Sequence, residues 1–103
     1  MDKLEYLITH YNEGVYIVEE GESLTEISNK FSTTEILIIS DNCLKCQPLE
    51  GEALYIKSYA LTYTVKPADT LDSVSQKFNV SKEELLRINR VNYIYPTQKI
   101  VIY

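Results

Sequence analysis

Cys43 and Cys46, two residues apart, and His10, the single histidine, are the side chains in this 103-residue chain best suited to metal or redox chemistry. A structural zinc site takes four ligands, and the Cys43-x-x-Cys46 pair supplies half of one unless a dimer completes it. A redox pair is expected at a helix N-terminus, whereas this pair follows the predicted end of a helix. It therefore reads as two inert thiols or as a loop disulfide, with metal or redox function behind both. His10 reads as an ordinary surface residue, and no cofactor or metal is expected. Glycosidic cleavage would need two carboxylates held across a substrate. Glu19/Glu20 and Glu50/Glu52 are available, but neighbours along a strand or turn point in different directions. With no Ser/His/Asp or Cys/His constellation within a repeat, binding is favoured over catalysis.

Composition narrows what could be bound. Hydrophobic residues make up 45% of the chain against 24% charged, enough for a packed core. Three Gly and three Pro leave no long flexible linker. The net charge of −5 repels phosphates, so nucleic acid is not an expected partner. No apolar run approaches the roughly 18 to 20 residues of a membrane-spanning helix, and no span is expected. The first residues lack a basic stretch followed by a continuous apolar one, so they do not read as a signal peptide. Residues 1–57 carry eleven acids and four bases, net −7, whereas residues 58–103 carry four acids and six bases, net +2. The two halves differ electrostatically.

They are nevertheless copies. A shift of 47 residues superposes Tyr16 on Tyr63, Val18 on Val65, Leu24 on Leu71, Ser28 on Ser75, Lys30 on Lys77, Phe31 on Phe78 and Asn42 on Asn89. Beyond Asn89 the second copy is one residue shorter, and Leu54 and Ile56 then match Ile100 and Ile102. Two units of about 40 residues are implied.

Each unit reads alike. Alternation at Tyr16/Val18 and Tyr63/Val65 predicts a short strand, followed by a turn carrying Gly21 or Ala68. Leu24, Ile27 and Phe31, like Leu71, Val74 and Phe78, line one helical face, with the small Ser28 and Ser75 beside them. Ser23 to Glu26 and Ser81 to Glu84 have the capping-box pattern. A second helix is expected to end near Asn42 or Asn89, either acceptable in the left-handed conformation. Leu54-Tyr55-Ile56 and Ile100-Val101-Ile102 read as closing strands. The fold class is α+β: two βααβ modules, each with a two-stranded antiparallel sheet and two helices packed on one face. The boundaries are 1–13 for an N-terminal extension, 14–57 for module 1, 58–62 for a short linker and 63–103 for module 2.

These residues resemble the LysM, or lysin motif, family. The second copy carries the resemblance in Tyr63-Thr64-Val65-Lys66-Pro67-Ala68-Asp69-Thr70-Leu71, Phe78-Asn79-Val80-Ser81, Leu85-Leu86-Arg87-Ile88-Asn89 and Ile94 to Ile102. The first carries it in Tyr16 to Leu24, Phe31, Asn42-Cys43-Leu44 and Gly51 to Ile56. The resemblance implies a module binding glycans that contain N-acetylglucosamine, with peptidoglycan placed ahead of chitin, in a groove between two loops. In module 1 the walls would be Gly21, Glu22, Ser23 and Leu24 against Leu44, Lys45 and the residues to Leu49. In module 2 they would be Ala68, Asp69, Thr70 and Leu71 against Val91, Tyr93, Ile94, Tyr95 and Pro96. Loop backbone suits the amide and hydroxyl groups of an acetamido sugar, and Leu71, Tyr93, Ile94 and Tyr95 suit its apolar face. Glu22-Ser23 and Asp69-Thr70 also fit helix N-capping.

The departures are informative. Ala68 and Thr97 stand where the family usually has Gly, which would strain or reshape a turn needing positive φ. Ile36 and Leu37 replace Glu83 and Glu84 of the second copy, positions expected to be exposed, while Ile38 and Ile39 fill core positions. An apolar face at Ile36 and Leu37 would suit a protein partner or self-association. Ile8-Thr9-His10-Tyr11 echoes Ile56-Lys57-Ser58-Tyr59, so residues 1–13 could close a preceding module of a longer array. The favoured reading is a non-enzymatic peptidoglycan-binding chain of a bacterial cell wall or spore. The alternative is an assembly module whose first copy binds a protein, with glycan affinity reduced or lost.

Overall fold

In a computed structural model, residues 14–103 are described, and the readings for residues 1–13, including His10, lie outside them. The element order is β1 Gly14–Ile17, α1 Leu24–Lys30, α2 Glu35–Asn42 and β2 Ala53–Ile56, then β3 Thr62–Thr64, α3 Leu71–Phe78, α4 Lys82–Asn89 and β4 Lys99–Val101. The chain divides into two units between Ser58 and Tyr59. Strand β1 pairs antiparallel with β2, Tyr16 opposite Leu54, and β3 pairs with β4, Tyr63 opposite Ile100. The α+β, βααβ expectation is met in both units.

Short helices need their ends satisfied, because four N–H and four C=O groups at the termini lack helical partners. Ser23, Thr34, Thr70 and Ser81 each accept from the backbone N–H three residues on. A full capping box forms only at Thr70, whose N–H donates to Ser73 while its hydroxyl accepts from the Ser73 N–H. At the two sequence-expected boxes the glutamates are engaged otherwise. Glu26 receives the Ser23 hydroxyl, and Glu84 pairs with Arg87.

All four helices end through one bond pattern, an N–H reaching a carbonyl five residues back: Thr33 to Ser28, Leu44 to Ile39, Val80 to Ser75 and Val91 to Leu86. The residue before each donor, Ser32, Cys43, Asn79 or Arg90, has φ between 52° and 55°. The left-handed residue at the second-helix ends is thus Cys43 or Arg90, one position beyond the asparagines. Asn42 and Asn89 are the last helical residues.

Their side chains do something else. Asn89 Nδ2 donates to Val101 O and Leu85 O, both at 2.8 Å, and Asn89 Oδ1 accepts from Val101 N–H at 2.7 Å. Asn42 repeats this with Tyr55 and Ile38 at the same distances. In a two-stranded antiparallel pair, alternate residues turn their N–H and C=O away from the partner. The asparagine amide takes the place that a third strand would fill.

The cores are duplicated too. Val18, Leu24, Ile27, Ile38, Leu54 and Ile56 cluster in the first unit, with Tyr16, Phe31 and Leu44 against them. Val65, Val74, Leu85, Ile100 and Ile102 cluster in the second, with Leu61, Tyr63, Leu71, Phe78, Val80 and Ile94. The Tyr16–Phe31 and Tyr63–Phe78 rings meet edge to face at 4.9 and 5.1 Å. On α2 the sequence expectation reverses at two positions. Leu37 is buried, at 1% exposure, whereas Ile39 is exposed. Helix α2 is apolar at four consecutive positions, so residue type alone does not say which of them face inward.

Asn89→Ala should leave the buried N–H and C=O of Val101 without partners and destabilise the second unit by about 2 to 4 kcal/mol. Asn89→Asp keeps the acceptor for the Val101 N–H but sets a buried carboxylate oxygen against the Leu85 and Val101 carbonyls, so at neutral pH it should destabilise at least as much as alanine. Denaturant unfolding combined with amide exchange at α4 and β4 measures both.

Candidate functional site

In each unit two turns spring from a single rung. Val18 N–H donates to Glu52 O and Gly51 N–H to Val18 O, both at 2.9 Å. In the second unit Val65 N–H donates to Gln98 O and Thr97 N–H to Val65 O, both at 2.8 Å. The first turn is Glu19 to Glu22, or Lys66 to Asp69, and the second is Leu49 to Glu52, or Tyr95 to Gln98; a 3.0 to 3.2 Å bond from fourth residue to first closes each.

The turns differ in backbone type. Gly21 has φ +72°, the type II conformation, whereas Ala68 keeps out of the left-handed region and its turn takes the type I sense. Pro67 at the second position suits either. In the second turn Gly51 has φ +89° and Thr97 has φ +74°, both type II. The Ala68 departure reshapes its turn, while the Thr97 departure is absorbed as strain.

The acids brace the first turn. Tyr63 Oη donates to Asp69 Oδ2 at 2.5 Å, and Lys66 N–H donates to the same oxygen at 2.8 Å. These bonds hold the Asp69 carboxyl below its ordinary value, the Tyr63 hydroxyl contributing most. The carboxylate in turn raises the Tyr63 phenol. Glu22 is longer and also reaches Lys30 at 2.9 Å, while accepting from Tyr16 Oη at 2.8 Å and from Glu19 N–H at 3.1 Å. The Lys30 ammonium is the main cause of its lowered pKa. Both lysines lie over the tyrosine ring of their unit, Lys30 at 4.9 Å from the Tyr16 centroid and Lys77 at 4.8 Å from that of Tyr63.

The other sequence-selected residues separate by exposure. Ser23 and Thr70 use their hydroxyls as N-caps. Leu24 is in the first core, with Leu44 packed partly against it, and Leu71 and Ile94 pack partly against the second core. Gly21, Lys45, Ala68 and Pro96 are exposed, and Val91 is half-buried. Leu49 is 71% exposed, Tyr93 67% and Tyr95 48%. The rings of Tyr93 and Tyr95 stand 6.1 Å apart on the second loop, and nothing aromatic matches them in module 1. Cys43 and Cys46 are exposed free thiols. Ile36 is 43% exposed, but Leu37, its companion in the expected partner face, is buried.

Sequence reasoning missed Gln98 and gave Pro48, inside the Leu44 to Leu49 wall, no role of its own. Pro48 is buried at the place of Ile94, a correspondence visible once the one-residue gap is placed. Gln98 is buried, and its Oε1 accepts from Tyr95 N–H at 2.9 Å, fixing the second turn from within. Among the described residues no three His, Cys, Asp or Glu side chains converge to hold a metal, and no helix is long and apolar enough to cross a membrane.

Because the folded pKa of Asp69 is depressed, its contribution to stability is present above the ordinary value of 3.8 and is lost as pH falls through the lower folded value. Tyr63→Phe removes the largest cause of that depression. The Asp69 carboxyl should then titrate closer to 3.8, as followed by carboxyl carbon NMR, and acid unfolding of the second unit should begin at higher pH.

Comparison with known proteins gives the same division. A curated relative, the N-acetylmuramoyl-L-alanine amidase sle1 of Staphylococcus epidermidis strain RP62A, is 29% identical over 113 aligned residues, covering 91% of this chain and 35% of its own length. The corresponding amidase of strain ATCC 12228 matches equally. The chain spans about a third of these relatives. Among solved structures, the spore cortex-lytic enzyme SleL of Bacillus cereus aligns with 24% identity and a TM-score of 0.44, over 90% of this chain and 23% of that one. SleL of Bacillus megaterium aligns with 29% identity and a TM-score of 0.45, over 87% and 22%. The LysM domain family matches residues 16–50 and 63–102, one segment in each βααβ unit. The chain belongs to the LysM family, with two of its modules in tandem.

Proposed function

We propose that this chain is a non-catalytic glycan-binding pair of LysM modules that recognises N-acetylglucosamine-containing polymer, peptidoglycan ahead of chitin, at a bacterial cell wall or spore. The observation that carries the reading is the exposed Tyr93–Tyr95 pair beside the two turns of module 2. Two phenol rings give a sugar an apolar face to lie against, and the neighbouring turns offer backbone donors and acceptors. The names of the curated relatives, which specify an N-acetylmuramoyl linkage, support peptidoglycan. Two weak linked sites would hold a polymer more tightly than either alone, provided both grooves reach it.

The groove walls under this reading are those drawn from the sequence: Gly21 to Leu24 against Leu44 to Leu49, and Ala68 to Leu71 against Val91 to Pro96. Titrating isotope-labelled protein with N-acetylglucosamine oligomers and soluble peptidoglycan fragments should shift backbone amides in these segments. Silence at millimolar ligand from folded protein would overturn the reading. Tyr95→Ala should weaken binding about threefold to tenfold without unfolding the module, since the ring is half-exposed and outside the core cluster.

The alternative, protein assembly through module 1, rests on Ile36 and Ile39, both exposed and three residues apart on α2. If it holds, Ile36→Glu with Ile39→Glu should shift the sedimentation profile of a self-associated chain toward monomer. An unaltered profile removes that support. Leu37 is buried and is left out of this test.

A further inference from the structure

Thr97 is the one β-branched residue in the described chain with positive φ. A β-branched side chain in that region is a genuine outlier, and strained residues of this kind persist where the surroundings or a ligand need them. Nothing within the fold accounts for the threonine. It is exposed, and among the described residues its hydroxyl has no hydrogen-bond partner. The backbone requirement of the turn is met by glycine in the other module, where Gly51 holds φ +89°. Only its backbone N–H is engaged, bonding Val65 O at 2.8 Å. Through that bond Thr97 sits on the rung from which the Lys66 to Asp69 turn departs, two residues from Tyr95 and beside exposed Pro96.

Resting on the glycan-binding reading, we propose that Thr97 is a ligand-contacting residue of module 2, its hydroxyl forming a hydrogen bond to a polar group of the bound acetamido sugar. Module 1, with Gly51, lacks the contact. The strain is then a cost in stability retained for binding, and module 2 is the tighter of the two sites. An exposed hydroxyl pre-positioned by a closed turn loses little freedom on binding, which is why one such group can affect affinity.

The test uses the full chain and a hexamer of N-acetylglucosamine, with amide shifts read separately for the two modules. Thr97→Gly should raise the melting temperature of module 2 and weaken its binding about threefold to tenfold. Thr97→Ser, which keeps the hydroxyl, should bind like wild type. Thr97→Val, which keeps the shape and the strain, should weaken binding as glycine does. Full affinity in either the glycine or the valine variant overturns the role of Thr97 while leaving the glycan reading intact. A wild-type chain showing no shifts in either module overturns both. Tighter binding by module 1 overturns the ranking of the sites.

Discussion

A side-chain amide stands in each module where a third strand would be. Asn42 and Asn89 finish the second helix and bond both outward backbone groups of the closing strand. A two-stranded sheet is marginal by itself in water and presents two open edges. Tying one edge to a helix end joins the sheet to the layer above it through two hydrogen bonds from one side chain, while a third anchors that side chain to its own helix. The apolar cluster depends on that junction, because Leu85 and Ile100 are held by elements that the asparagine connects. Asn89 is buried and Asn42 is less so, and the penalty for breaking the junction scales with that burial.

The rest of the stability comes from economy at the termini of short helices. Seven or eight residues form few helical bonds, so an uncapped end would leave as many groups open as closed. Serine and threonine close all four N-termini, and one wrapped bond closes each C-terminus. The Tyr–acid pair does the same for the first turn, joining a strand side chain to the turn's fourth residue.

The repeat made the fold legible: paired identities 47 residues apart fix strand, helix, helix and strand in each copy. The acids and hydroxyls flanking the first turn were legible for the same reason, since their types recur. What escaped was which of two adjacent residues takes which task. Asparagine is good both at left-handed backbone and at bridging two backbones, and only the register of the closing strand decides between them. Helix α2 hid its inward face because four consecutive apolar residues contain no periodicity to read. Thr97 was legible as a departure from glycine, and the structure shows that the turn kept its type there, whereas at Ala68 it changed.

That change has a directional consequence. Between a type I and a type II turn the central peptide plane is rotated by about half a turn. The carbonyl of Glu20 and the amide of Gly21 have therefore exchanged sides relative to those of Pro67 and Ala68. Where one loop turns a donor outward, its copy turns an acceptor, and the local dipole is inverted. Duplication has yielded two loops of opposite local polarity at equivalent corners of the two modules, so a tandem that repeats in sequence does not repeat in the pattern of donors and acceptors it offers there.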